Sequence, residues 1–215
     1  MLKNSKLYLI LDKEVASYDR LFEVTKQAVA GGVDLIQLRD KNGTSEDIIK
    51  FSRKITLFLK RRIPFIINDR VDLALACGAD GVHLGQDDLP IALARRLMGK
   101  NAIIGVSCQT LQHAKFAFNC GADYIGFGSV FKTLTKPKRQ PMNLRLLADV
   151  VSGIKIPVFA IGGINAHNIL RLKGLGVDRV AVCRDICLAK DVRKTTDRFK
   201  ALLSSCPCCC AVTGS

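Results

Sequence analysis

A chain of 215 residues with 33 lysines and arginines against 19 aspartates and glutamates carries a formal charge of +14 and is long enough to enclose a sizeable core in one domain. Aromatic residues are only 6% of it and no basic stripe is interleaved with them, so the stacking platform or groove of a nucleic-acid reader is missing and small anionic molecules are the expected partners. No apolar stretch approaches the roughly 20 residues of a membrane span, which excludes a membrane-spanning helix and makes a soluble, cytoplasmic protein the expectation.

Lys3 and Lys6 precede the apolar run Leu7 to Leu11, which breaks at Asp12-Lys13. That is too short for a secretory signal and lacks a small-residue cleavage site, so it is read as a first strand. Further runs at Pro64 to Asn68, Ala102 to Val106 and Pro157 to Ile161 are almost continuously apolar, as in parallel strands covered on both faces. Helical patterns lie between them at Tyr18 to Ala30, Ser45 to Leu59, Leu89 to Met98, Thr110 to Asn119, Leu144 to Val151 and Ala166 to Leu172.

One phrase occurs four times: a glycine, a small residue, an aspartate and a short apolar run. It begins at Gly32-Val33-Asp34, Gly78-Ala79-Asp80, Gly121-Ala122-Asp123 and Gly176-Val177-Asp178. Each copy reads as a helix closed by a left-handed glycine and leading into a buried strand. The aspartates are 46, 43 and 55 residues apart, about two strand-helix units each. Four such pairs predict an α/β fold, a single (β/α)8 TIM barrel over residues 1–204, with short loops because the chain is near the lower limit of about 200 residues for this architecture.

Nine cysteines are an odd number. Cys77, Cys108, Cys120, Cys183 and Cys187 have no metal-ligand spacing and read as small thiols in a reducing compartment. Cys206, Cys208, Cys209 and Cys210 crowd a tail, residues 205–215, that is expected to be disordered. It offers no histidine, second CxxC or prenylation box to support a metal or lipid.

Barrels of this kind work at the carboxyl ends of their strands. Strand two ends in Gln37-Leu38-Arg39-Asp40-Lys41, where alternation would send Gln37, Arg39 and Lys41 to one side as an anion clamp. Asn68-Asp69 and His83-Leu84-Gly85-Gln86-Asp87-Asp88 finish strands three and four. Carboxylates beside phosphate-binding cations suit Mg²⁺, although for either Asp69 or Asp88 taken alone a helix cap is the better reading. His83 has no evident partner for general-base work and is expected to line the pocket or serve the structure. Ser107 ends strand five, while Thr133-Leu134-Thr135-Lys136 follows strand six and has hydroxyls and an ammonium for phosphate oxygens. Gly162-Gly163 after strand seven would let backbone N–H groups approach a phosphate.

Taken in order over nearly the whole chain, these segments resemble the thiamine-phosphate synthase (thiamine-phosphate pyrophosphorylase) family. The resemblance implies a transferase that joins 4-amino-2-methyl-5-hydroxymethylpyrimidine diphosphate to the thiazole phosphate and releases pyrophosphate. It implies that Gln37, Leu38, Arg39, Asp40, Lys41, Asn68, Ser107 and Lys136 hold the pyrimidine diphosphate, that Asp69 and Asp88 hold Mg²⁺, and that Arg39, Lys41, Ser107 and Lys136 act in catalysis. It further implies that Thr133, Leu134, Thr135, Gly163 and the pair Cys183-Arg184 hold the thiazole phosphate. That pair departs from the small residue and serine usual in the family, and Lys132 stands where proline is common. Arg184 is expected to reach the phosphate, the alternative being an ion pair with Asp178 or Asp185. A thiazole tautomerase on the same barrel, or a non-catalytic binder of phosphate ligands, are the competing readings, and oligomeric state is left open.

Overall fold

The computed structural model describes residues 2–134 and 140–205. Eight parallel strands close into a barrel in sequence order. They are β1 (Leu7–Asp12), β2 (Leu35–Arg39), β3 (Phe65–Asn68), β4 (Gly81–Leu84), β5 (Ile103–Cys108), β6 (Tyr124–Phe127), β7 (Val158–Ile161) and β8 (Val180–Val182). Around them lie α1 (Tyr18–Ala30), α2 (Ser45–Leu59), α3 (Val71–Cys77), α4 (Ile91–Met98), α5 (Leu111–Asn119), α6 (Leu144–Gly153), α7 (Ile169–Lys173), α8 (Arg184–Cys187) and α9 (Val192–Ser204). Pairing of Leu7 with Val180 and Leu9 with Val182 seals the barrel. Among the described residues no helix is long and apolar enough to cross a membrane.

The repeated phrase has a physical explanation. Gly32, Gly78, Gly121 and Gly176 all take φ between 67° and 84°, the left-handed region that a side chain resists. The aspartate that follows latches the preceding strand. Asp34 accepts the Lys6 and Leu7 amides, both at 2.8 Å, Asp80 accepts the Phe65 amide at 2.9 Å and Asp123 the Ile104 amide at 2.7 Å. These carboxylates satisfy strand-start donors at the amino end of the barrel, away from the mouth. Asp178 instead meets the guanidinium of its neighbour Arg179 at 2.6 Å.

Strand alternation divides the core in two. Leu7, Leu9, Leu11, Ile36 and Leu38 face the helices, while Tyr8, Ile10, Leu35, Ile66, Ile103, Tyr124, Phe159 and Ala181 fill the barrel. The short helix α3 and the carboxyl-terminal pair α8 and α9 are additions to the expected elements. Lys200 of α9 anchors that helix by meeting the Asp34 carboxylate at 2.6 Å and 2.7 Å. The tail from Cys206 onward, and Thr135 and Lys136 of the predicted site, fall outside the described residues.

Gly105 makes room inside the barrel, because a Cβ there would lie 2.0 Å from Cζ of Tyr124. Tyr124 is fully buried, with Tyr8 and Phe159 rings against it at 5.6 Å centroid separations, so it has nowhere to retreat. Gly105→Ala should therefore cost about 3 kcal/mol, the upper part of the usual overpacking range, read as a lowered denaturant midpoint. An unchanged midpoint would mean that the Tyr124 ring can move aside.

Candidate active site

The carboxyl ends of the strands surround a cavity of about 270 Å³. Gln37, Arg39, Asn68 and Ser107 line it from β2, β3 and β5; Thr133 and Leu134 from the loop after β6; and Gly163, Cys183 and Arg184 from the loops after β7 and β8. The structure therefore brings to one cavity nine of the residues that the resemblance assigns to the substrates, with His83, Lys132 and Gly162, also singled out in the sequence, and Tyr8 and Ser129 among the further lining groups, while Lys41, Asp69 and Asp88 lie outside the lining.

Alternation on β2 places Gln37 and Arg39 at the cavity and turns Leu38 to the helix layer, where it is buried in the outer core. The Leu38 side chain therefore does not enter the cavity, because a strand residue cannot turn to both faces. Asp40 shapes its own loop, accepting the Tyr18 hydroxyl at 2.6 Å and the Asn42 and Gly43 amides at 3.0 and 2.7 Å. Burial alone would raise its carboxyl, but the Tyr18 hydrogen bond, those amides and the Lys13 charge hold it below its usual range.

Arg39 is held in place rather than free. Its Nη1 lies 2.7 Å from Oδ2 of Asp12, a carboxylate with no solvent exposure, and 3.6 Å from Glu14. Oδ1 of Asp12 accepts the Glu14 amide at 3.0 Å. Lys41 pairs with Asp69, whose carboxyl neighbours that of Asp88. Asp69 adopts φ 62°, an unusual backbone for a residue with a Cβ, fixed by its amide on the His83 carbonyl at 2.8 Å. Burial first, then the neighbouring Asp88, pushes the Asp69 carboxyl above its ordinary range against the opposing pull of Lys41.

Two adjoining carboxylates with too little positive charge between them match the donor set of Mg²⁺, which takes one or two carboxylates and completes its shell with water and phosphate oxygens. Among the described residues no group of three or more His, Cys, Asp or Glu side chains converges, so a site closed by protein ligands alone is not what this cluster resembles. Oδ2 of Asp88 also accepts the Gly85 amide at 2.6 Å, which fixes its orientation.

At the opposite rim Gly162 and Gly163 have φ of 106° and 63°. A Cβ on Gly163 would meet the Lys132 carbonyl oxygen at 2.3 Å, so the loops after β6 and β7 touch backbone to backbone. Arg184 lines the cavity, and among the described residues no carboxylate lies within ion-pair distance of it. Asp178 is taken by Arg179, and Asp185 accepts the Ala166 amide at 3.2 Å. The two thiols at the cavity are not activated nucleophiles. Burial pushes Cys108 up to about 12, and contact with Cys187 together with burial keeps Cys183 well above the ordinary thiol range.

His83 has the partners that the sequence did not show. Its Nδ1 is 3.0 Å from the Tyr124 hydroxyl and its Nε2 2.9 Å from Ser107 Oγ. The Tyr124 and Tyr8 hydroxyls are 2.7 Å apart, and Nε2 of Gln37 donates to Tyr8. Both phenols are raised by burial and stay protonated.

A closed parallel barrel with cations, paired carboxylates and close-approach glycines around one mouth defines a barrel enzyme for small phosphorylated molecules. The chain belongs to the thiamine monophosphate synthase family, whose model it matches over residues 7–186. It is 42% identical over 194 residues to the thiamine-phosphate synthase of Ruminiclostridium cellulolyticum, covering 90% of this chain and 92% of that protein. It is 40% identical over 204 residues to that of Halalkalibacterium halodurans, covering 94% and 97%. The solved thiamine phosphate pyrophosphorylase of Pyrococcus furiosus superposes with a TM-score of 0.83 at 38% identity, covering 92% of this chain and 95% of that one.

The two clamp cations should differ in what their loss does to folding. Arg39→Ala leaves the buried Asp12 carboxylate without its counter-ion and should cost about 3–5 kcal/mol. Lys41 is 46% exposed, so Lys41→Ala should cost only about 0–1 kcal/mol. Adding Asp12→Asn to the Arg39 variant should recover much of the loss in urea denaturation; equal stability of the two single variants would contradict the pairing.

Proposed function

We propose that this chain joins 4-amino-2-methyl-5-hydroxymethylpyrimidine diphosphate to the thiazole phosphate, forming thiamine phosphate and pyrophosphate, by a displacement in which the leaving group is drawn out electrostatically. The observation that carries the reading is a cavity at the carboxyl ends of the strands lined by Arg39 from β2 and by Gly163 and Arg184 from the β7 and β8 side, with Lys41, Asp69 and Asp88 just past the ends of β2, β3 and β4 although they do not line it. On this reading the two phosphate-bearing ends would lie on the two sides and the reacting centre between them.

The carbon–oxygen bond to the diphosphate breaks with its electron pair passing to pyrophosphate, and the positive carbon left on the pyrimidine is stabilised by the ring. The lone pair of the thiazole nitrogen then forms the carbon–nitrogen bond. Charge therefore grows on the departing oxygens, where Arg39 and Lys41 meet it, with Lys136 proposed to join them and Ser107 to donate from β5. Asp69 and Asp88 would hold Mg²⁺, which when bound adds positive charge against the same oxygens. No enzyme nucleophile is required, in keeping with the protonated thiols of Cys108 and Cys183. Holding the nitrogen in line with the breaking bond falls to the thiazole-phosphate end: Thr133, Leu134, Thr135, Gly163, Cys183 and Arg184.

Purified protein given both substrates and Mg²⁺ should form thiamine phosphate and pyrophosphate in equal amounts, lose the activity to a chelator and regain it with Mg²⁺. Turnover in excess chelator would remove the metal from the mechanism, and no product under any condition would remove the function. Arg184→Ser should raise KM for the thiazole phosphate by about tenfold to a hundredfold, the value of one charge-assisted contact of about 1.5–3 kcal/mol, with the pyrimidine diphosphate nearly unaffected. An equal KM for the thiazole phosphate would take Arg184 away from it.

A further inference from the structure

Among the described residues, the lysines and arginines that line the cavity are Arg39, Lys132 and Arg184. Arg39 already faces the Asp12 carboxylate at 2.7 Å. Lys132 and Arg184 have no carboxylate within ion-pair distance, although every aspartate and glutamate of the chain lies in the described residues. Asp185 also lines the cavity, but its Oδ2 accepts the Ala166 amide at 3.2 Å. The β6–β8 side of the mouth therefore carries two cations against one carboxylate that is already engaged.

The backbone sets these two cations on either flank of the Gly162-Gly163 turn, because the loop after β7 lies between those after β6 and β8 in the closed sheet. On one flank the Val130 and Phe131 amides donate to the Ile161 and Gly162 carbonyls, both at 2.9 Å, and the Lys132 carbonyl abuts Gly163. On the other, the bond from the Ala166 amide to Asp185 ties the same loop to the first turn of α8, where Arg184 stands. Arg171 of α7 is occupied elsewhere, its guanidinium 5.4 Å from the centroid of the Phe131 ring, and it does not line the cavity. None of these bonds uses the Lys132 side chain, which is exposed. Its position is thus fixed at the backbone, and its ammonium is at liberty to meet a ligand.

We infer that Lys132 is a specificity-determining residue which, with Arg184 on the opposite flank of the glycine turn, makes this side of the cavity a two-cation seat for a dianion. Taken with the proposed function, on which this inference rests, the seat selects a phosphate monoester of the thiazole over a singly charged ester of the same shape. A phosphate monoester carries about −1.5 to −2 charges at neutral pH, so each cation has negative charge to meet. The sulfate ester of the same alcohol offers as many terminal oxygens in the same tetrahedral arrangement but only a single charge. The two cations differ in kind: the planar guanidinium of Arg184 can grip two oxygens, whereas the Lys132 ammonium acts as a point charge. Loss of Lys132 should therefore weaken the dianion much more than the monoanion.

Lys132→Met keeps the length of the side chain and removes its charge, and Lys132→Arg restores a charge. The test is kcat/KM for the thiazole phosphate and for the sulfate ester of the same alcohol, with saturating pyrimidine diphosphate and Mg²⁺, in the wild-type chain and both variants, melting temperature confirming the fold. The wild-type chain should prefer the phosphate ester by about tenfold or more. Lys132→Met should lower that preference by about tenfold, through KM for the phosphate ester with kcat nearly unchanged, and Lys132→Arg should recover most of it. Should Lys132→Met not fold, Lys132→Gln removes the same charge and should act alike. A wild-type preference in the folded Met variant, or an Arg variant as poor as the Met variant, would overturn the seat and leave the proposed function standing. No product from either ester in the wild-type chain would overturn the function and the seat together.

Discussion

Closure of the parallel sheet, with β1 bonded to β8, is the constraint from which the site follows. Every strand runs the same way, so every carboxyl end arrives at one rim, and alternation along each strand decides which residues enter the barrel. Gln37 and Ser107 belong to strands that are not neighbours, yet both face one cavity because the sheet has no edge. The aspartates of the repeated phrase serve that closure from the opposite end. Asp34, Asp80 and Asp123 take up strand-start amides there, away from the mouth.

Charge at the mouth is more restrained than a net of +14 suggests. Arg39 faces Asp12 and Glu14, and Lys41 faces Asp69. Internal pairs thus offset the cations on the β2–β4 side, while Arg184 brings a charge not paired with any described carboxylate to the cavity from the β8 side. Asp12 is the residue that makes Arg39 a fixed group. A guanidinium tethered at 2.7 Å to a buried carboxylate loses little freedom when an anion arrives, so under the proposed mechanism more of its interaction would be available to the developing charge.

Much of this was legible in the chain itself. The recurring Gly-x-Asp phrase announces paired strand-helix units because glycine tolerates the left-handed cap and the apolar run must be buried, and the strand ends are conspicuous because polar groups interrupt those runs. The helix α3 is less visible: Val71–Cys77 is a bare two turns, capped at its start by Arg70 with no side-chain hydrogen bond. Asp12 reads locally as the residue that ends a strand, and only the fold brings Arg39 to it. The same holds for the hydrogen bonds inside the barrel, since Tyr8 and Tyr124 are 116 residues apart and His83 and Tyr124 are 41. Leu38 shows the opposite failing, in which a motif taken as a block hides the fact that its alternate members face opposite ways.

Under the proposed mechanism Asp69 and Asp88 let a divalent cation join Lys41 and Arg39 in holding a diphosphate. Titration of inorganic pyrophosphate into the intact protein, with and without Mg²⁺, tests this without relying on turnover. The wild-type chain should bind about tenfold or more tightly with Mg²⁺, and Asp88→Asn should lose most of that difference while keeping the metal-free affinity, as one carboxylate ligand fewer predicts. Equal affinity with and without Mg²⁺ in the wild-type chain would contradict the account.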